Sequence, residues 1–382
     1  MTSVLLPAAD GSLYRHTLRE PARWERPEGP IRSRVAFAAA HVVADPLRDN
    51  APGAPAAVDW DATLAFRAYL WSCGLGVAEA MDTAQRGMGL DWPATRELIS
   101  RSAANATGRL AAGVGTDHVP EASSLDEVYG AYAEQLEFVQ SAGAQPIMMA
   151  SRQLARLSTS PADYRHVYDR LLAQVETRVI LHWLGPMFDP ALAGYWGSPD
   201  RGSASATFLD LVRDHATRVD GVKVSLLDAD HEKRLRAELP DGVRLYTGDD
   251  FHYPDLIRGD GARHSDALLG IFAAIAPAAS HALQALDRGD ETGYDEALAP
   301  TVPLAHHLFA PPTYYYKTGI AFLSWICGHQ PGFTMVGGLQ SARGLPHLVE
   351  AFVLADRAGL LPYPDLAAHR VRVLLATHGI DR

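Results

Sequence analysis

The chain has very little cysteine, almost no lysine, no excess of positive charge and no long apolar run, and each shortage removes a class of protein. Cys73 and Cys327 are the only cysteines in 382 residues, too few for a disulfide framework or a zinc ribbon. A formal net charge of −11 argues against a sequence-independent grip on nucleic acid or anionic lipid, because both need a basic surface. No segment approaches the ~20 consecutive apolar residues that span a bilayer. The opening MTSVLLPAADGSLYRH lacks a basic start followed by a long apolar stretch. A cytoplasmic protein with neither a nucleic-acid nor a membrane partner is the expectation. A glycine-rich dinucleotide fingerprint and a compact H-x-x-E-H or H-x-H pair are also missing.

The lysine shortage is the most informative. Of 34 basic residues only three are lysine, at 223, 233 and 317. A compositional bias toward arginine and alanine accounts for the shortage itself. Under that bias, a lysine kept in an apolar setting points to amine chemistry that a guanidinium cannot supply.

What is present reads as an ordinary globular chain, 47% hydrophobic and 21% charged. Residues 1–30 form an N-terminal arm, in which SVLLP and SLYRHTL are strand candidates joined by the turn signal AADG. Eight runs of strand length follow: 34–43, 76–81, 109–115, 145–150, 178–184, 221–227, 243–248 and 266–271. Helical patterns separate them. SLDEVYGAYAEQLEFVQSAG repeats apolar residues at three and four positions, and SPADYRHVYDRLLAQV opens with Ser160 as N-cap and Pro161 at the first helical position. Eight strands alternating with helices predict an α/β fold, a (β/α)8 TIM barrel over residues 31–300, followed by a helical C-terminal region over 301–382. A doubly wound open sheet is the structural alternative.

In such a barrel, chemistry sits at the C-terminal ends of the strands. In VDGVKVSLLD, Val222, Val224 and Leu226 alternate with Lys223 and Ser225, so the lysine faces away from the apolar set. If that side is the lumen, burial favours the neutral amine, which can attack a carbonyl and form a Schiff base. The competing reading is a lysine paired with a lumen carboxylate or reaching to water.

Strand six with Gly221, Val222 and Lys223, strand seven ending in Gly248, Asp249 and Asp250, and the helix start Ile275, Ala276 and Pro277 together resemble the dihydrodipicolinate synthase and N-acetylneuraminate lyase family. HVVADP (41–46), AAGVGTDH (111–118) and YYYKTG with Lys317 extend the resemblance over about residues 34–360. It also resembles a domain-of-unknown-function branch of that family. The resemblance implies class I aldolase or lyase chemistry on a small-molecule carbonyl substrate, no cofactor, and a homo-oligomer. Lys223 would then be the imine-forming residue, with Ser225, Asp249, Asp250 and Tyr253 at the substrate.

Departures from the family pattern shape the expected substrate. The family's anion-binding loop after strand two, glycine-threonine-threonine-glycine-glutamate, is replaced by Met81, Asp82, Thr83, Ala84 and Gln85. Asp82 would repel a carboxylate. Asp82, Thr83 and Gln85 are therefore read as substrate-binding residues, Asp82 and Gln85 as groups that bind substrate hydroxyls. His182 stands where the family has a proton-relaying tyrosine, and its ordinary pKa suits acid–base work. The paired tyrosines after strand four and the arginine beyond strand five are absent. A polar, hydroxylated carbonyl compound, cleaved or dehydrated through Lys223 with His182 as proton shuttle, is the expectation. Two alternatives stand beside it: a divalent-metal barrel using His118, His182, Asp250, His252 and His264, and a non-catalytic ligand-binding member of the fold.

Overall fold

The computed structural model describes residues 2–8, 10–81 and 85–380. The arm is a hairpin in which β1 (Ser3–Pro7) pairs antiparallel with β2 (Leu13–Thr17). The Asp10 carboxylate accepts from the Ser12 backbone N–H at 2.9 Å and fixes the turn between them.

The eight predicted runs are all strands: β3 (Ala36–Ala39), β4 (Gly76–Glu79), β5 (Leu110–Val114), β6 (Gln145–Met148), β7 (Val179–Leu184), β8 (Val219–Ser225), β9 (Arg244–Thr247) and β10 (Asp266–Leu269). They close in the order β10-β3-β4-β5-β6-β7-β8-β9, with every pair parallel. The barrel therefore replaces the open-sheet alternative. Its crossovers are α1 (Trp60–Ser72), α2 (Trp92–Asn105), α3 (Leu125–Ser141), α4 (Arg152–Leu157) with α5 (Pro161–Ala173), α6 (Arg201–Asp214), α7 (Ala229–Glu238) and α8 (Tyr253–Arg258). After β10 come α9 (Ala276–Asp287), α10 (Glu291–Leu298), α11 (Val302–Leu308), α12 (Tyr316–Ile326), α13 (Leu345–Arg357) and α14 (Pro364–Thr377). Ser160 caps α5 with Pro161 in its first turn, as its sequence predicts. The hairpin docks on the C-terminal helices through Asp356, which accepts from the Arg19 backbone N–H at 3.0 Å and meets His16 Nε2 at 2.9 Å.

Strand alternation divides the interior in two. Phe37, Ala39, Ala78, Met81, Ala111, Ile147, Met149, Ile180, Tyr246 and Leu268 pack together inside the barrel. Trp183 points the other way and packs edge-on against Phe208 and His231 under the helices, as alternation requires. A buried ion pair pins α1 to β4: Arg67 donates to both Glu79 oxygens at 2.7 and 2.9 Å, and Ser102 adds a third bond at 2.6 Å. Among the described residues no helix is long and apolar enough to cross a membrane.

Candidate active site

Lys223 projects inward from β8, and its register neighbours are His182 on β7 and Tyr246 on β9. It is 8% exposed, His182 1% and Ser225 2%. His182 Nε2 lies 3.1 Å from the Ser225 hydroxyl, so three predicted residues share one patch of the lumen. Two glycines make that patch possible. A Cβ on Gly221 would stand 2.6 Å from the Tyr246 ring. A Cβ on Gly248 would overlap Ser225 Oγ and approach the Val224 carbonyl oxygen at 2.9 Å and Lys223 Cε at 3.0 Å. The glycines of the two sequence motifs are thus space for the lysine and its neighbours.

Asp250 is buried at the barrel mouth, where its carboxylate accepts from the Ile271 backbone N–H at 2.8 Å. Burial pushes its carboxyl up to about 7, and the charges of Lys223 and Lys317 pull the other way. Lys317 reaches the same region from α12, a contribution that sequence reasoning noted only as part of a C-terminal motif. Its ammonium donates to the Ala39 carbonyl at the end of β3, and burial pushes it down to about 7 against the pull of Asp250. Of the three lysines, two are therefore buried at the barrel mouth, and Lys233 is exposed on α7. Gln85, with a positive φ of 72°, turns its side-chain oxygen to accept from the Val42 backbone N–H at 3.0 Å. Asp82 and Thr83 lie outside the described residues.

Two expected substrate contacts point elsewhere. The Asp249 carboxylate is occupied by its own turn, accepting from the Phe251 and His252 backbones at 2.9 and 3.1 Å and meeting His252 Nδ1 at 2.9 Å. Tyr253 is fully buried on α8, its hydroxyl bonded to Thr301 and its ring edge-on to Phe272. The five residues of the metal alternative do not converge. His118 bonds Gln135 at 2.7 Å, His252 bonds Asp249, and His264 precedes β10, at the N-terminal rather than the C-terminal end of the barrel. Among the described residues no group of three or more metal-binding side chains is placed to hold an ion.

Beside this patch, over the exits of β5, β6 and β7, a cleft of about 780 Å³ opens under Tyr314 and Tyr315. Leu184, two residues beyond His182 on β7, and Met149 of the lumen cluster both line it. Its polar wall holds Thr116, whose hydroxyl lies 2.7 Å from Ser151 Oγ and donates to Gln153 at 2.7 Å. Short polar residues after strands carry no strong sequence signal, and none of the three was anticipated.

The fold defines a class. Solved structures of dihydrodipicolinate synthase family proteins share this architecture over most of the chain. YagE, a prophage protein of that family from E. coli K12 solved with pyruvate, superposes with a TM-score of 0.67 at 13% identity, covering 86% of this chain and 99% of its own. The chloride-inhibited dihydrodipicolinate synthase of Acinetobacter baumannii with pyruvate gives 0.63 at 18% identity, covering 86% and 100%. The Aquifex aeolicus enzyme gives 0.60 at 13%, covering 91% and 99%. By sequence the chain belongs to the family described as protein of unknown function (DUF993), whose profile matches residues 4–380. Among curated proteins none matches it.

Proposed function

We propose that this protein is a Schiff-base-forming lyase that cleaves or dehydrates a polar, hydroxylated carbonyl compound through Lys223. The observation that carries the reading is the inward placement of Lys223 beside His182 and Ser225, in a lumen that two glycines keep open. The solved relatives that hold pyruvate support a carbonyl ligand in this fold.

In the proposed reaction the Lys223 amine adds to the carbonyl carbon, and water leaves to give a protonated imine. The imine nitrogen acts as an electron sink. In cleavage, a hydroxyl two carbons from the imine carbon loses its proton, the carbon–carbon bond beside it breaks to release an aldehyde or ketone, and the electron pair is left in an enamine that takes up a proton to return to the imine; in dehydration, the carbon next to the imine loses a proton and the hydroxyl on the following carbon departs as water. Water then adds to the imine and frees the lysine. His182 moves the proton of the substrate hydroxyl, held in orientation by Ser225. Asp250, with a carboxyl near neutrality in its range and two lysines around it, exchanges protons with the Lys223 amine. The hydroxyl and amide wall of Thr116, Ser151 and Gln153 holds the substrate's hydroxylated tail. The protein is proposed to work as a homo-oligomer.

Carbonyl oxygen exchange tests the reaction directly. Imine formation expels that oxygen, so in oxygen-18 water with a panel of 2-oxo acids and keto sugars the protein should speed labelling of one class of compound above the protein-free rate set by spontaneous hydration. The acceleration should vanish with Lys223→Met. Equal acceleration by the variant, or none with any compound, counts against the proposal.

A further inference from the structure

We infer that a second small-molecule site lies outside the barrel, between the N-terminal arm, α1, the start of α9 and α12, and that it takes a small aromatic compound bearing an anionic group. A cavity of about 380 Å³ is lined there by Trp24, Arg26, Tyr69, Pro277, Ser324 and His329, a volume within the range of small-ligand sites. It shares no lining residue with the cleft over β5 to β7.

Three polar groups stand on its wall. Ser324 is 4% exposed, and its hydroxyl has no hydrogen-bond partner in the protein. An unpaired buried hydroxyl is costly to keep, and a ligand atom in the cavity would supply what the fold withholds. The His329 ring lies against Tyr69, tilted by 39° with centroids 4.1 Å apart. Burial, with the charge of Arg26, pushes that imidazole down to about 4, so at neutrality it offers one donor and one acceptor. Arg26 sits over the Tyr69 ring at 5.0 Å and donates to the Tyr69 carbonyl at 3.4 Å, to the Ser72 hydroxyl and to Cys73 Sγ at 2.8 Å, yet makes no ion pair among the described residues. A guanidinium bonded only to neutral acceptors at the rim of an aromatic-walled cavity selects an anion. Trp24, anchored through its indole N–H to the Gly359 carbonyl at 3.2 Å, and Tyr69 supply faces for a flat ring.

The test is calorimetric titration of the full chain with indole-3-acetate and with its neutral counterpart indole-3-ethanol. One saturable site is expected for indole-3-acetate, with affinity about tenfold weaker or worse for indole-3-ethanol and for Arg26→Ala and Ser324→Ala. Ser324→Ala should melt no lower than the parent, because it removes an unpaired hydroxyl, so its loss of affinity cannot be ascribed to unfolding. Absence of saturable binding, equal affinity for the neutral compound, or unchanged affinity in both variants would overturn the inference.

Discussion

Gly248→Ala puts the geometry of the lysine patch to a quantitative test. The added methyl would overlap Ser225 Oγ and press on the Val224 carbonyl oxygen at 2.9 Å and on Lys223 Cε at 3.0 Å. The first contact can move only by disturbing the His182–Ser225 pair, and the second is barrel backbone. Overpacking of this kind costs about 1–3 kcal/mol, read as a lower urea midpoint and a melting temperature lower by a few degrees. The larger effect should be on reactivity, since displacing an attacking atom by about 1 Å can cost about a hundredfold in rate. The assay is the rate of imine reduction by borohydride with a saturating carbonyl compound, measured beside urea denaturation. Adding Ser225→Ala removes the worst overlap and should return part of the lost stability, with a coupling of about 0.5–3 kcal/mol. A Gly248→Ala protein with the parent's midpoint and trapping rate would refute the reasoning.

Other consequences are equally concrete. Burial raises the Asp250 carboxyl from its ordinary 3.8 to about 7, so between those values the folded state keeps a proton that the unfolded chain has released. Its contribution to stability therefore falls as pH rises through that window, by about 1.4 kcal/mol per pH unit. Asp250→Asn retains an acceptor for Ile271 and removes this dependence. Stability of the variant relative to the parent should climb from about pH 4 to about pH 7 and then level, and parallel pH curves would contradict the assignment. Glu79→Gln leaves the Arg67 charge without its carboxylate in a fully buried position, so urea denaturation should register a loss of about 3–5 kcal/mol. A loss within error would mean that Arg67 finds another partner.

Much of this architecture is legible in the chain because the barrel signal is local. Each strand run carries its own alternation, and Val222, Val224 and Trp183 point outward as that alternation requires. Asp249, expected at the substrate beside Asp250, lies beyond the end of β9 at Thr247, where its carboxylate closes a turn with Phe251 and His252. What escapes sequence reading is contact across long separations. Lys317 meets Ala39 across 278 positions, and nothing in α12 announces that its ammonium enters the barrel mouth, although the scarcity of lysine marks the residue. Tyr253 shows the converse. An aromatic residue near a strand end looks alike whether it lines a pocket or packs on Thr301, and only the position of the segment after α10 decides.

The central claim is that Lys223 is the reactive amine. Borohydride reduction of the protein with a panel of 2-oxo acids and keto or aldehyde sugars, followed by peptide mass spectrometry, tests it most directly. The account predicts one adduct on the peptide carrying Lys223, absent in Lys223→Arg and undiminished in Lys233→Arg. An adduct on another lysine, or none with any carbonyl compound, would contradict it.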